Sequence, residues 1–524
     1  MAHHFANTIP TRLLMWQRVR EYAVPPSMIE TATARRVVGD WAGACAAARI
    51  DIDLDLRAVR HRHGIELVTR LRADLRRLAP DLLRWHMPRI APAGRLRPGL
   101  TISLAHYRTP GATTLQLVVR TPPAWTDAGQ RMSLALWEGQ GEKSGDGVPG
   151  YRSHPHPHPD RRFRLDLHRH LWDAGRSGEL ARRCGAGGTV AVAPPPPPGP
   201  PRAPGLSPWA VARWAAEAEL LLRAEGRPRG AFAVRLGERS RTVLELVAPD
   251  DSHAPTLRPL RETPAPQDIA ALPLLPEAAA RVPPDLELLR AGLVAAERLH
   301  PLVAAALAAY GPTAAYGPTT AYGPTAAYES VVAFGRVAAA SGPVPEPGDP
   351  HRVECRGQVH RIALRDGVLT AVDHDPDQLH REELLVALGG PPLPCLRAID
   401  TVHRTPEALP AVRERLDHGD VAGALAVVEG LLGPGAVLRD GPLREELESA
   451  AARRIDHGLF RSGLFRSGLV VGRTGVSAGA VEGGNAAGTG HAGAGRRPRI
   501  DRHTPPAARL KRSRRARPRN GQID

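Results

Sequence analysis

Apolar residues recur at helical spacing from Leu67 to Leu78: Leu67, Val68, Leu71, Leu75 and Leu78 form one stripe, while Arg70, Arg72, Arg76 and Arg77 lie off it. The pattern predicts a core-facing helix that Pro80 ends, with Leu82, Leu83 and Trp85 capping the same core. Upstream, the alanine-rich run Ala42 to Ala48 predicts a short helix that a second helix can approach closely. Between the two, Asp51, Asp53 and Asp55 alternate with Ile50, Ile52, Leu54 and Leu56. This reads as a turn or short extended piece whose acids meet the N-terminus of a helix starting near Asp55. Arg57, Arg60, His61, Arg62 and His63 crowd the start of that helix. Such residues meet phosphates and guanine edges when a helix lies in a major groove. A helix-turn-helix within a helical head, residues 1–95, is the implied geometry, with those five residues as DNA contacts. Two positions depart from the motif: Asp51 stands where a turn glycine is expected, and Val59 falls one residue off its apolar site. The competing reading of the stretch is an amphipathic helical hairpin with a solvated basic face.

Beyond the head the period changes. Leu100 to His106, Thr114 to Arg120 and Met132 to Trp137 are short β-type runs separated by turn residues, which predicts a small antiparallel sheet within 96–193. Prolines from Pro194 to Pro204 make 194–207 a semi-rigid linker. Over 208–283, Ser207 and Pro208 open a helix that Gly226 closes. Phe232 to Leu236 and Arg241 to Val247 then form a hairpin, and a second proline-rich linker follows from about 249. Over 284–350, the helical run Leu286 to Ala309 leads into three hexads, AYGPTA, AYGPTT and AYGPTA, too short for a solenoid unit and readable as successive turns. In 351–470, Asp366-Gly367 signals a two-residue hairpin, and Asp375-Pro376 opens a series of helices. Of these, the pair joined by Asp417-His418-Gly419-Asp420 is a helical hairpin of the kind that presents a partner-binding or self-association surface. Residues 471–524 lack apolar periodicity and read as a disordered basic tail. The class expected is therefore α+β and multi-domain, with extensive linkers.

Composition sharpens this in two ways. The 53 prolines, 52 glycines and 4% aromatic content imply modest cores and much connector. A net charge of +16 favours contact with nucleic acid or another polyanion, although lysine occurs only at Lys143 and Lys511, as a GC-rich genome would dictate. Between Arg496 and Arg519, eleven basic residues face the single acid Asp501. No apolar leader and no run of eighteen apolar residues is found, so a cytoplasmic, non-membrane protein is expected.

Candidate chemistry is sparse. Cys45, Cys184, Cys355 and Cys395 are far apart with no CxxC pair, so neither a structural zinc site nor a disulfide framework is indicated, and no metal or cofactor is expected. The run Ser153 to Pro159 alternates histidine with proline, an extended path on which the imidazoles diverge. His374, flanked by Asp373 and Asp375 and followed by Asp377 and His380, is the best acid–base or metal cluster, yet Asp375 and Asp377 are also what a helix start requires. No nucleophile motif or phosphate loop accompanies it, so a non-enzymatic protein is expected.

The stretches GDWAGACAAARIDIDLDLRAVRHRHG and GGPPLPCLRAID, with RLDHGDVAGALAVVEGLLGPGAVLRDGPLREELE, resemble proteins of high-GC filamentous actinobacteria. One of these is about this chain's mass, carries an N-terminal helix-turn-helix and is described as a regulator of sporulation. The resemblance covers most of the chain. It implies a cytoplasmic transcriptional or developmental regulator with DNA contacts around Ala42 to His63. The alternative from the residues is a protein-interaction scaffold acting through 351–470.

Overall fold

The computed structural model describes residues 9–107, 114–139, 158–184, 207–308 and 352–462, apart from a few short gaps within those spans. It is a mixed α+β structure in two units, the first comprising 1–121, 131–145 and 156–344, the second 122–130, 146–155 and 345–524.

In the first unit, helix α1 (Thr11–Arg18) runs into a π turn, and α2 (Pro26–Val37) starts on a proline. Helix α3 (Trp41–Ala47) is capped by Asp40, whose carboxylate accepts the Gly43 N–H at 2.8 Å. The acidic alternation that follows is a strand, β1 (Ile50–Asp53). Asp55 then caps α4 (Leu56–Arg77) by accepting the N–H groups of Arg57 at 2.9 Å and Ala58 at 3.1 Å. The Leu67 to Leu78 stripe is buried, as its spacing demands, and each such side chain contributes roughly 1.5–3 kcal/mol. Helix α5 (Pro80–His86) starts at the expected proline and buries Leu82, Leu83 and Trp85 in the same core.

After the small hairpin β2 (Arg89–Ile90) and β3 (Arg95–Leu96) come β4 (Thr101–Tyr107), β5 (Leu115–Arg120) and β6 (Met132–Trp137). These last three pair antiparallel, and β1 adds to β6 in parallel, giving the order β1-β6-β5-β4. Residues 1–95 and 96–193, divided on the sequence pattern, thus share one sheet and one core.

Past α6 (Glu179–Arg183) the structure departs from expectation three times. The helix expected from Pro208 begins as a 3₁₀ turn, and α7 spans only Trp214–Ala224. The expected hairpin forms as β7 (Gly230–Arg235) and β8 (Arg241–Val247), but the supposed linker after it supplies β9 (Thr256–Pro259), α8 (Pro266–Ala271) and α9 (Glu277–Ala280). Leu275, Ala279 and Ala280 from that stretch complete a core with Trp214, Phe232 and Leu244, so proline content misled where buried apolar residues decided. The Leu286 to Ala309 run is broken into α10 (Pro284–Arg290) and α11 (Pro301–Ala308): Gly292, at φ 66°, ends the first, and Pro301 opens the second. The hexads, the 194–206 proline run and the basic tail lie outside the described residues.

In the second unit, β10 (Arg352–Cys355), β11 (Gln358–Arg365) and β12 (Val368–Ala371) form an antiparallel sheet in chain order. Asp366 and Gly367 have φ of 54° and 78°, the paired left-handed conformations of the hairpin turn expected there. Helices α12 (Pro376–Ala387), α13 (Pro394–Arg404), α14 (Leu409–Asp417), α15 (Val421–Leu432) and α16 (Pro442–Arg461) follow. Asp420 caps α15, with Gly419 at φ 78° ending the turn before it. Ile362, Leu369, Ile399, Val412, Leu416 and Val428 form the core that fixes α13 against the sheet. No helix among the described residues is long and apolar enough to cross a membrane.

Candidate metal centre

The five expected DNA-contact residues lie on the first two turns of α4, but the geometry around them is not a helix-turn-helix. The connection from α3 is strand β1, held by pairing of Ile50 to Met132 and Ile52 to Leu134. Asp51, on the opposite face, takes the guanidinium of Arg131 at 2.5 and 3.1 Å. Alternating isoleucines found a neighbouring strand, and a strand in a sheet cannot be the short turn of that motif. Gly64, at φ 84° and ψ 173°, also kinks α4 just past His63.

Arg62 and His63 both bind Glu138, at 2.5 and 3.0 Å, so they brace the helix against residues following β6. Arg60 and His61 are exposed and make no hydrogen bond or ion pair among the described residues. Arg57 is exposed beside Asp55, whose carboxyl is held below its ordinary range by the N–H groups of Ala58 and Arg57, with the Arg57 and Arg62 charges adding.

The second unit brings together what the spacing of cysteines does not suggest. Cys355 ends β10, His374 follows β12 by three residues, and Cys395 sits in the first turn of α13. The Sγ of Cys395 is 3.8 Å from the Sγ of Cys355 and 3.3 Å from Nε2 of His374, and all three donor atoms lie within 4.8 Å of one another. Each of the three residues is buried. Sequence spacing did not bring these three together, because it weighed only cysteines close in the chain, whereas a sheet edge, a turn and a helix start supply these donors from positions up to 40 residues apart.

Local chemistry explains each placement. Alternation along β10 buries Cys355 and exposes Glu354. The turn after β12 is fixed by Asp373, which accepts the Arg361 backbone N–H at 2.9 Å and its guanidinium at 2.9 and 3.1 Å. The main-chain N–H of His374 donates to the carbonyl of Ala371 at 3.2 Å. Asp375 caps α12 and His380 is exposed, so neither joins the cluster they were grouped with. Ala371, Leu379 and Leu393 wall the site with apolar side chains.

Burial, then the adjacent Cys355 thiol, push the Cys395 thiol up to about 11. Burial, then His360 and Arg356, hold His374 below the ordinary imidazole value, which favours the neutral ring that a metal ligand needs. Zinc with thiolates at about 2.3 Å in a tetrahedron sets its sulfurs about 3.8 Å apart, the spacing found here, whereas a disulfide needs about 2.05 Å. Cys45, buried, and Cys184, half-buried, have thiols that desolvation pushes up to about 12, and they stand in no such group among the described residues.

Comparison with protein-family models, with curated proteins and with solved structures finds no match to this chain.

Proposed function

We propose that the second unit is a zinc-binding, non-enzymatic interaction module, with Cys355, His374 and Cys395 as ligands. The convergence of two thiols and an imidazole nitrogen in one apolar pocket carries this reading. Buried cysteines alone pack as small apolar groups. A third donor aimed at one of them is what a soft, borderline cation selects. Such an ion would tie sheet to helix, and structural zinc contributes on the order of 10–16 kcal/mol at neutral pH. Within this unit, α12 and the residue that follows it leave Leu384, Leu385 and Leu388 exposed, the last at 88%, an apolar end suited to a protein partner. The test is zinc content after purification and dialysis against a competing chelator. Stoichiometric retention by the wild type, abolished in Cys355→Ser and Cys395→Ser, supports the module; equal content in all three refutes it.

A second reading keeps the chain as a cytoplasmic DNA-binding developmental regulator, one acting in sporulation included. The exposed Arg60, Arg72 and Arg76 of α4, without hydrogen bond or ion pair among the described residues, favour it. With β1 in place of a turn, these arginines suit phosphates rather than base edges. Binding of a random duplex at several salt concentrations tests it.

A further inference from the structure

The three converging donors leave a zinc tetrahedron one ligand short, and the structure assigns the fourth place to His360. This inference rests on the zinc reading above and deepens it: the site becomes a closed Cys₂His₂ centre that holds structure, not a three-ligand centre with a place for substrate.

Strand register puts His360 on the right face. It stands opposite Val353 while Cys355 stands opposite Gln358, so His360 and Cys355 are diagonal neighbours on one side of the sheet. The imidazole is only 9% exposed, and its Nδ1 is buried without a hydrogen-bond partner. A buried imidazole nitrogen left unsatisfied is costly, and a ligand role removes the cost. Its ring stacks on that of His374 with centroids 3.8 Å apart and planes inclined by 18°. Two rings lying face to face cannot both direct lone pairs at one tetrahedral ion, so binding requires His360 to turn about its side-chain torsions, with no change in strand register.

The nearby carboxylates are committed elsewhere. Asp373 is held by Arg361, Glu382 by Arg356 at 2.6 Å, and Asp375 caps α12. Glu354 is on the exposed face of β10. Among the described residues that leaves His360 as the buried donor next to the cluster with a nitrogen to give.

Cobalt(II) titrated into the metal-free full chain tests this, read by visible absorption. The wild type is expected to give the intense ligand-field bands of tetrahedral cobalt with thiolate charge transfer. His360→Ala should shift those bands, weaken binding by more than the roughly 10–100-fold that removal of an outer partner costs, and recover a wild-type spectrum on addition of free imidazole. His360→Cys, which keeps a ligand in place should the alanine variant fail to fold, should add the charge transfer of a third thiolate. If the wild type takes up no cobalt with thiolate character, the zinc reading itself fails. If the wild type binds and both variants match it in spectrum and affinity, the zinc reading stands and the assignment of His360 is overturned.

Discussion

Cys355 and Cys395 hold their sulfur atoms 3.8 Å apart across a strand end and a helix start that are 40 residues apart in the chain. An ion bridging them would stabilise only the folded second unit. Chelation should therefore lower the thermal midpoint of that unit, while the transition of the first unit, which contains none of the ligands, stays in place. With free zinc at a thousand times its dissociation constant the expected difference is about 4 kcal/mol, or roughly 15 °C or more. Scanning calorimetry with and without chelator checks this; coincident traces would remove the structural role of the ion.

The hairpin turn that delivers β11 and β12 makes its own prediction. Gly367 sits at φ 78°, and a Cβ there would lie 3.1 Å from the carbonyl oxygen of Gly435 and 3.3 Å from Val437. Gly367→Ala should cost the second unit about 1–3 kcal/mol. Urea unfolding followed by a probe within that unit measures it, and a neutral result would mean that the turn relaxes without strain.

In the first unit, Glu217 on α7 accepts hydrogen bonds from Arg183 at 2.6 and 2.7 Å and lies 3.1 Å from Nε2 of His168. Burial pushes its carboxyl up, but the bonds from His168 and Arg183 outweigh that and hold it well below the ordinary range. A carboxylate depressed on folding stabilises above its unfolded value of about 4.3 and loses that contribution as pH falls toward the folded value. Glu217→Gln should thus cost about 3–5 kcal/mol at pH 7, and the gap to wild type should narrow below about pH 4. A gap that stays constant down to acid pH would show that packing, not charge, is what the substitution removes.

For the basic face of α4, replacing Arg60, Arg72 and Arg76 with glutamine should flatten the dependence of duplex affinity on salt by nearly one unit of slope for each phosphate left without its arginine. An unchanged slope in filter-binding or anisotropy titrations would leave these arginines as a solvated surface.

How far the residues announced this arrangement varies with the range of the forces involved. The Leu67 to Leu78 stripe, the three strands from Thr101 to Trp137 and the Asp366-Gly367 turn were legible because local periodicity and backbone preference decide them. For Ile50 to Asp53 the residues left a turn and a short extended piece both open, and the extended form is settled only because β6 offers an edge. Residues 256–280 looked like linker by proline count, yet Leu275 and Ala279 have a core to enter. The Cys355, His374 and Cys395 cluster was least visible. His374 drew notice for its flanking aspartates, which turn out to fix a turn and cap a helix, whereas its partners Cys355 and Cys395 are brought to it by tertiary packing alone. The usable signal was the apolar-polar alternation of Val353 and Cys355 on β10 and of Ile362 and Leu364 on β11, which with the hairpin register puts Cys355 and His360 on one face.

X-ray absorption at the zinc edge of the purified full chain tests the central claim most directly, because it counts donor atoms around the ion. The account predicts two sulfurs at about 2.3 Å and two nitrogens at about 2.0–2.1 Å. A shell of oxygen and nitrogen alone, with no sulfur, would contradict it.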